Sequence, residues 1–377
     1  VRSTSANTAP AETGTLALPS GLIKKRRAIF AKEDNYLAIS SNSLEISMSA
    51  TSVESLQAIN VTGEHKRNPG MPLDLDWVNQ VQVNRGAVEW RATTLTWRRL
   101  VKQECEAAWL LRAIRCIDLT TLAGDDSPGK IRRLCAKARH PLRDDLLAAM
   151  DITGLGLTAA AVCVYPTMVP HALRALAGSG IPVASVAAAF PAGLSPLKLR
   201  LGEITFAVEA GAAEIDAVIA REYVLTGSWE RLYEEVASFR QACGDALLKI
   251  ILATGELPTL RDVQKASFAA MMAGADYIKT STGKEVVNAT LETGLAVIRA
   301  IREYQRRTGY RVGIKAGGGI RHAGEALNWL ILLKEELGRE WLEPELFRIG
   351  ASTLLNEIEQ LLGQYVVDRA SAGHSSG

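Results

Sequence analysis

The chain has 377 residues, 47% of them hydrophobic and 22% charged, which suits a soluble enzyme of two average domains or one large α/β barrel with extensions. A formal net charge of +2 gives no basis for a nucleic-acid or membrane partner. The five cysteines (Cys105, Cys116, Cys135, Cys163, Cys243) form no Cys-x-x-Cys pair and the five histidines no metal-ligand spacing. A disulfide framework and a metal centre are therefore not expected, and a cytoplasmic location without cofactor is.

Residues 1–73 are rich in Ser, Thr, Ala and Asn, lack sustained periodicity, and read as a disordered extension. The chain starts at Val1, and Met48 and Met71 are both candidate starts. The basic run Lys24 to Arg27 reads as a solvated charge cluster, and Glu12, Glu33, Asp34 and Glu45 count against a transit peptide. Residues 74–112, helical from Trp97 to Arg112, are expected as an N-terminal lead-in. Residues 113–365 then alternate short β-branched or alanine-rich runs with helices, and 366–377 read as a flexible tail.

The strand candidates are Ile114–Leu122, Ala159–Tyr165, Val183–Phe190, Ala213–Ile219, Leu247–Ala253, Ala275–Thr280, Val312–Lys315 and Leu346–Gly350. Between them, Trp229, Leu232, Val236, Phe239 and Cys243 recur at steps of three and four, one apolar stripe of a helix over 229–243. Thr259 to Asp262 has the form of a helix-starting capping box. Eight strands each followed by a helix give the count of a (β/α)8 TIM barrel. The competing doubly wound sheet would more often open on a Gly-x-Gly-x-x-Gly turn, which the loop after the first strand does not carry.

Such a barrel gathers its site at the strand ends. Asp118 falls on the first strand, Asp216 on the fourth, Lys279 on the sixth and Lys315 on the seventh. Lysine is poor strand material and rarely buried. The plain alternative is two surface lysines whose stems cover apolar residues. Glycine-rich flanks on both favour an amine nucleophile beside a second cation that depresses its pKa. Lys249, early on the fifth strand, is expected to pack or form an ion pair. The turns Ser281 to Lys284, Gly317 to Gly319 and Gly350 to Thr353 are small and hydroxyl- or glycine-rich, and the last two run into helices. Three such turns on adjacent strands read as a phosphate site.

On these residues the chain resembles deoxyribose-phosphate aldolase, in its longer eukaryotic-type form. The resemblance rests on Ile117 to Leu122, Ala161 to Pro166, Glu214 to Asp216, Thr254 to Leu257, Tyr277 to Lys284 and Phe347 to Leu355, with Leu225 to Gly227 and Glu335 to Gly338. It covers roughly 74–364. It implies a metal-free class I aldolase that cleaves 2-deoxy-D-ribose 5-phosphate, with a Schiff base on Lys279. Proton transfer falls to Lys315 and Asp216, and Asp118 is a further pocket carboxylate. Thr282, Gly283, Lys284, Gly318, Gly319, Gly350, Ser352 and Thr353 match the phosphate-binding turns. The partner implied is a phosphorylated sugar, with a homo-oligomer left open. Two departures stand out: Lys315-Ala-Gly-Gly-Gly319 replaces the usual Lys-Pro-Ala-Gly-Gly, and the chain ends Asp368 to Gly377 without the family's terminal tyrosine. Two other readings remain at this point: a related Schiff-base aldolase for another sugar phosphate, and a barrel that only binds.

Overall fold

Eight parallel strands close into a barrel in chain order, β1 to β8, in a computed structural model that describes residues 67–98 and 103–374. The strands are β1 Ile117–Thr120, β2 Ala161–Val164, β3 Val183–Ala187, β4 Glu214–Val218, β5 Leu247–Ile251, β6 Tyr277–Lys279, β7 Gly313–Gly317 and β8 Phe347–Ala351. Each lies inside or beside an expected run, and β8 pairs with β1 to leave no free edge. The strands read as nearly continuous apolar runs because outer helices cover one face while the barrel interior takes the other.

The helix Trp229–Cys243 has the expected bounds and buries its stripe of Trp229, Leu232, Val236, Phe239 and Cys243. Helix Leu260–Met272 starts where Thr259 caps the Asp262 amide. Some boundaries differ. Ile114 and Arg115, expected in the first strand, end the helix Gln103–Arg115, and β7 runs on to Gly317. The expected helix from Trp97 to Arg112 falls on two helices, Arg85–Arg98 and Gln103–Arg115, and residues 99–102 lie outside the described residues. A short helix, Leu75–Gln80, precedes them.

The two ends of the chain also depart from expectation. Residues 1–66, with the Lys24 to Arg27 run and Met48, lie outside the described residues. Asn68 to Met71, placed in the disordered extension, instead dock on the barrel. Asn68 Nδ2 donates to Met271 O at 2.7 Å and to Ala275 O at 2.9 Å, and its Oδ1 accepts from Tyr304 OH at 3.0 Å. Its backbone N–H donates to Asp276 Oδ1, so a buried amide side chain uses its hydrogen-bonding capacity on the base of the barrel. At the other end the helix Leu354–His374 carries residues 366–374, which the sequence suggested as tail. Among the described residues no helix is long and apolar enough to cross a membrane.

Candidate active site

Side chains alternate along each strand, so Glu214 and Asp216 on β4 share a face, as do Lys249 and Ile251 on β5. In β7, Gly313, Lys315 and Gly317 share one. The inward faces of β4 to β8 and β1 carry charge; those of β2 and β3, with the last residues of β4 and β5, are apolar. The apolar part is a cluster of Cys163, Ala184, Val186, Phe190, Val218 and Ile251, with Leu122 and Tyr165 against it. Ala188 and Ala189, both with positive φ (64° and 59°), turn the chain after β3 and bring Phe190 back over this wall. The Ala189 N–H is held by Glu203 Oε2 at 2.6 Å, which offsets part of that backbone strain.

All four predicted strand residues meet in the charged part. Lys279 Nζ and Lys315 Nζ each donate to Asp216 Oδ2 at 2.7 Å. Lys315 Nζ also lies 2.5 Å from Asp118 Oδ2, an oxygen with no aligned hydrogen bond, so that contact is carried by charge. Only Lys279 ends its strand. Asp118, Asp216 and Lys315 sit deeper in theirs, because the tilt and stagger of a closed barrel bring residues from different strand positions to one level. The register pairs Lys279 with Lys315 directly.

Three further groups complete the cluster. Lys249 Nζ is hydrogen-bonded to Glu214 and, at 3.0 Å, to Asp216 Oδ1, with Asp118 Oδ2 at 3.6 Å. This is the ion-pair role expected for it. Arg348 binds Asp118 Oδ1 at 2.6 Å and Glu214 Oε1 at 2.9 Å. Glu214 and Arg348 lay within the family motifs but were not singled out. The signal for Glu214 was its two-residue spacing from Asp216; for Arg348, a charge in the middle of an apolar strand.

The cluster thus holds carboxylates Asp118, Glu214 and Asp216 against cations Lys249, Lys279, Lys315 and Arg348, all buried. Burial raises the Asp118 and Asp216 carboxyls, but the surrounding cations outweigh it and hold both below the usual range. Burial likewise works against charge on Lys315 and Lys249, yet their carboxylates keep both above the ordinary lysine value. Lys279 goes the other way. Burial lowers its pKa, Lys315 adds to the effect, and Asp216, already shared with two other lysines, does not compensate. With four cations for three carboxylates, Lys279 is the amine whose charge the cluster can release. Its Nζ also lies 5.9 Å from the Phe190 ring centroid, at the border of the apolar wall.

One glycine-rich turn lies against the stem of this amine: a Cβ on Gly317 would meet Lys279 Cε at 3.1 Å. A Cβ on Gly318 would fall 2.4 Å from Gly283 Cα, so the turns after β6 and β7 touch backbone to backbone. Both glycines have positive φ (85° for Gly283, 70° for Gly318). The altered β7 loop keeps its register through Gly317 N–H donating to Thr280 Oγ1 at 3.1 Å. A Cβ at 317 would fall 2.3 Å from Ser281 O. The glycine thus lets the two turns close together. Gly350 lies within β8, its bare Cα facing Lys315; a Cβ there would meet Lys315 Cε at 3.3 Å. Lys284 Nζ reaches across to Leu122 O at 3.0 Å. Ser352 and Thr353 follow β8 and precede the last helix. A separate cavity of about 470 Å³, lined by Arg85, Thr254, Leu257, Arg261 and Glu292, includes none of the cluster's side chains.

Comparison with known proteins supports the same chemistry. Residues 112–339 match the model of the DeoC/LacD family aldolase. The deoxyribose-phosphate aldolase of Homo sapiens is 58% identical over 309 residues, covering 81% of this chain and 97% of that protein. That of Mus musculus is 58% identical over 307 residues, covering 81% and 96%. The solved deoxyribose phosphate aldolase of Aeropyrum pernix superposes with a TM-score of 0.51 at 22% identity, covering 74% of this chain and 98% of that one. That last likeness bears on the fold alone.

Proposed function

The chain belongs to the DeoC/LacD family of aldolases, and we propose on that footing that Lys279 is the amine on which its Schiff base forms. Its activity is that of a deoxyribose-phosphate aldolase: reversible cleavage of 2-deoxy-D-ribose 5-phosphate to D-glyceraldehyde 3-phosphate and acetaldehyde. The observation that supports the residue assignment is the charge imbalance of the buried cluster, which leaves Lys279 as its one cation with a lowered pKa.

Neutral Lys279 attacks C1 of the open-chain sugar, and the carbinolamine loses water to give an iminium. A base takes the proton of the C3 hydroxyl. The C2–C3 bond then breaks, its electron pair flowing into the iminium, to release glyceraldehyde 3-phosphate and leave an enamine. Protonation at C2 and hydrolysis free acetaldehyde and regenerate the amine. Asp216 and Lys315, both in hydrogen-bond contact within the cluster, are the groups assigned to proton transfer, together with water. Asp118 keeps Lys315 charged and therefore keeps Lys279 depressed. Lys249, Glu214 and Arg348 act as positioning residues that hold the two aspartates. The apolar wall of Phe190, Val186 and Ile251 borders the two-carbon product, and the turns carrying Thr282, Gly283, Lys284, Gly318, Gly319, Ser352 and Thr353, with Gly350 near the end of β8, receive the phosphate.

A cytoplasmic location belongs to the same proposal, supported by the five cysteines, none of them paired. So does a homo-oligomer, supported by Leu199 and Phe206, exposed together on the helix Leu197–Glu209. The test is release of glyceraldehyde 3-phosphate from a small panel of sugar phosphates. Preferential cleavage of 2-deoxyribose 5-phosphate is expected; preference for another sugar, or no cleavage of any, overturns the reading.

A further inference from the structure

The turn after β6 already holds an anion of the protein's own. The Thr282 N–H donates to both carboxylate oxygens of Glu285, at 3.0 and 3.1 Å, and the Gly283 N–H donates to Oε2 at 3.2 Å. The other candidate phosphate turns differ. The backbone N–H groups of Gly318, Gly319, Ser352 and Thr353 donate to no protein acceptor among the described residues. One part of the anion site is therefore open and the other part is filled.

The backbone around Glu285 is fixed while its side chain is free to leave. Asn288 Nδ2 donates to Glu285 O at 3.0 Å, and the Val287 carbonyl packs so closely on Gly255 that a Cβ there would lie 1.9 Å from it. Glu285 itself is half-buried, between exposed Lys284 and Val286. A rotation of its side chain releases both amides without moving the turn. Two amides cannot serve a carboxylate and a phosphate at once, and the two anions repel at close range.

We propose that Glu285 is a specificity-determining residue, a resident carboxylate that competes with the substrate's phosphate for the Thr282 and Gly283 amides. This rests on the placing of the phosphate at these turns under the function proposed above. Phosphate that reaches the β6 turn displaces the carboxylate into water, so Glu285 weakens the hold on phosphorylated substrate and product alike. Lys284, the nearest cation in sequence, gives its amide to Thr282 Oγ1 at 3.0 Å and its ammonium to Leu122 O at 3.0 Å, and forms no ion pair with Glu285.

The test compares the wild-type chain with Glu285→Ala and Glu285→Gln. Calorimetry gives the Kd of inorganic phosphate, and kinetics give the ratio of kcat/KM for 2-deoxyribose 5-phosphate to that for 2-deoxyribose. In Glu285→Ala the phosphate Kd is expected to fall about tenfold and the ratio to rise about tenfold, the order of one charge-assisted hydrogen-bond contact. Glu285→Gln, which keeps an acceptor oxygen but no charge, is expected between the two. An unchanged or weaker phosphate affinity in Glu285→Ala, with acetaldehyde still trapped on the variant by borohydride, overturns the proposal. Failure of the wild-type chain to cleave either sugar overturns the function instead, and the phosphate titration still reads Glu285.

Discussion

Lys279 and Lys315 lie side by side in register and share one oxygen of Asp216, yet their ammonium groups have opposite fates. Lys315 has Asp118 as well, so its charge is matched, whereas Lys279 shares its single carboxylate with Lys249 and Lys315. Because the folded pKa of Lys279 is lowered, the unfolded chain binds more protons between that value and the ordinary ~10.4. Lys279 therefore costs stability at neutral pH, a cost that fades as pH rises through that window. Lys279→Met is expected to abolish aldol cleavage while its Tm at pH 7 stays at or above that of the wild type. Lys315→Met leaves Asp118 Oδ2 and Asp216 short of a buried cation, and is expected to lose about 3–5 kcal/mol of stability. Its kcat is expected to fall roughly 10²–10⁴-fold. Thermal melts and steady-state rates of the two variants check the pair, and equal destabilisation by both would contradict this charge count. The acid limb of the kcat/KM profile should likewise reflect an amine titrating below the ordinary lysine value.

At the scale of elements, the lysines were legible because a cation in a β-branched strand breaks the pattern around it. The turns were legible because small residues punctuate strand ends. Glu285 was not, since nothing in its spacing tells that its carboxylate folds back on the amides two and three residues before it. Nor was Gly350 readable as a spacer for the Lys315 stem rather than only a turn residue. The contact of the β6 and β7 turns predicts a specific failure. Gly318→Ala puts a Cβ 2.4 Å from Gly283 Cα at a φ of 70°, so the turns must part. KM for 2-deoxyribose 5-phosphate is expected to rise at least tenfold, with a smaller effect on 2-deoxyribose; equal effects on both would place the damage at Lys279 instead. The Asn68 strap was lost inside a polar, aperiodic stretch because its order comes from contacts far away in sequence. Asn68→Ala takes the side-chain partner from Ala275 O and from the Gly70 N–H, while Tyr304 OH and Met271 O keep each other, and a Tm drop equivalent to about 2–4 kcal/mol is expected at 1–3 kcal/mol for each poorly satisfied group.

For the molecule as a whole, the eight-fold alternation of strand and helix carried the architecture, since a closed parallel barrel buries short apolar strands on both faces at once. What the alternation could not carry was the interior. The barrel is filled on one side by an apolar wall and on the other by charge, a division that emerges only when the stagger sets which residues share a level. That charge makes stability depend on acid. Asp118, Glu214 and Asp216 all have folded pKa values below the usual carboxylate range, so their contribution is complete above ~4 and is lost as pH falls through the lower folded values. Asp118→Asn is expected to lower Tm at pH 7 and to flatten its fall below pH ~4, as followed by circular dichroism.

Lys279, and not its buried neighbours Lys249 or Lys315, is the amine proposed to carry the substrate. Borohydride reduction in the presence of 2-deoxyribose 5-phosphate, followed by peptide mapping, reads this directly. A single reduced adduct on the peptide containing Lys279, absent in Lys279→Met, is predicted. An adduct on Lys249 or Lys315, or none on a chain that still cleaves the sugar, would contradict the account.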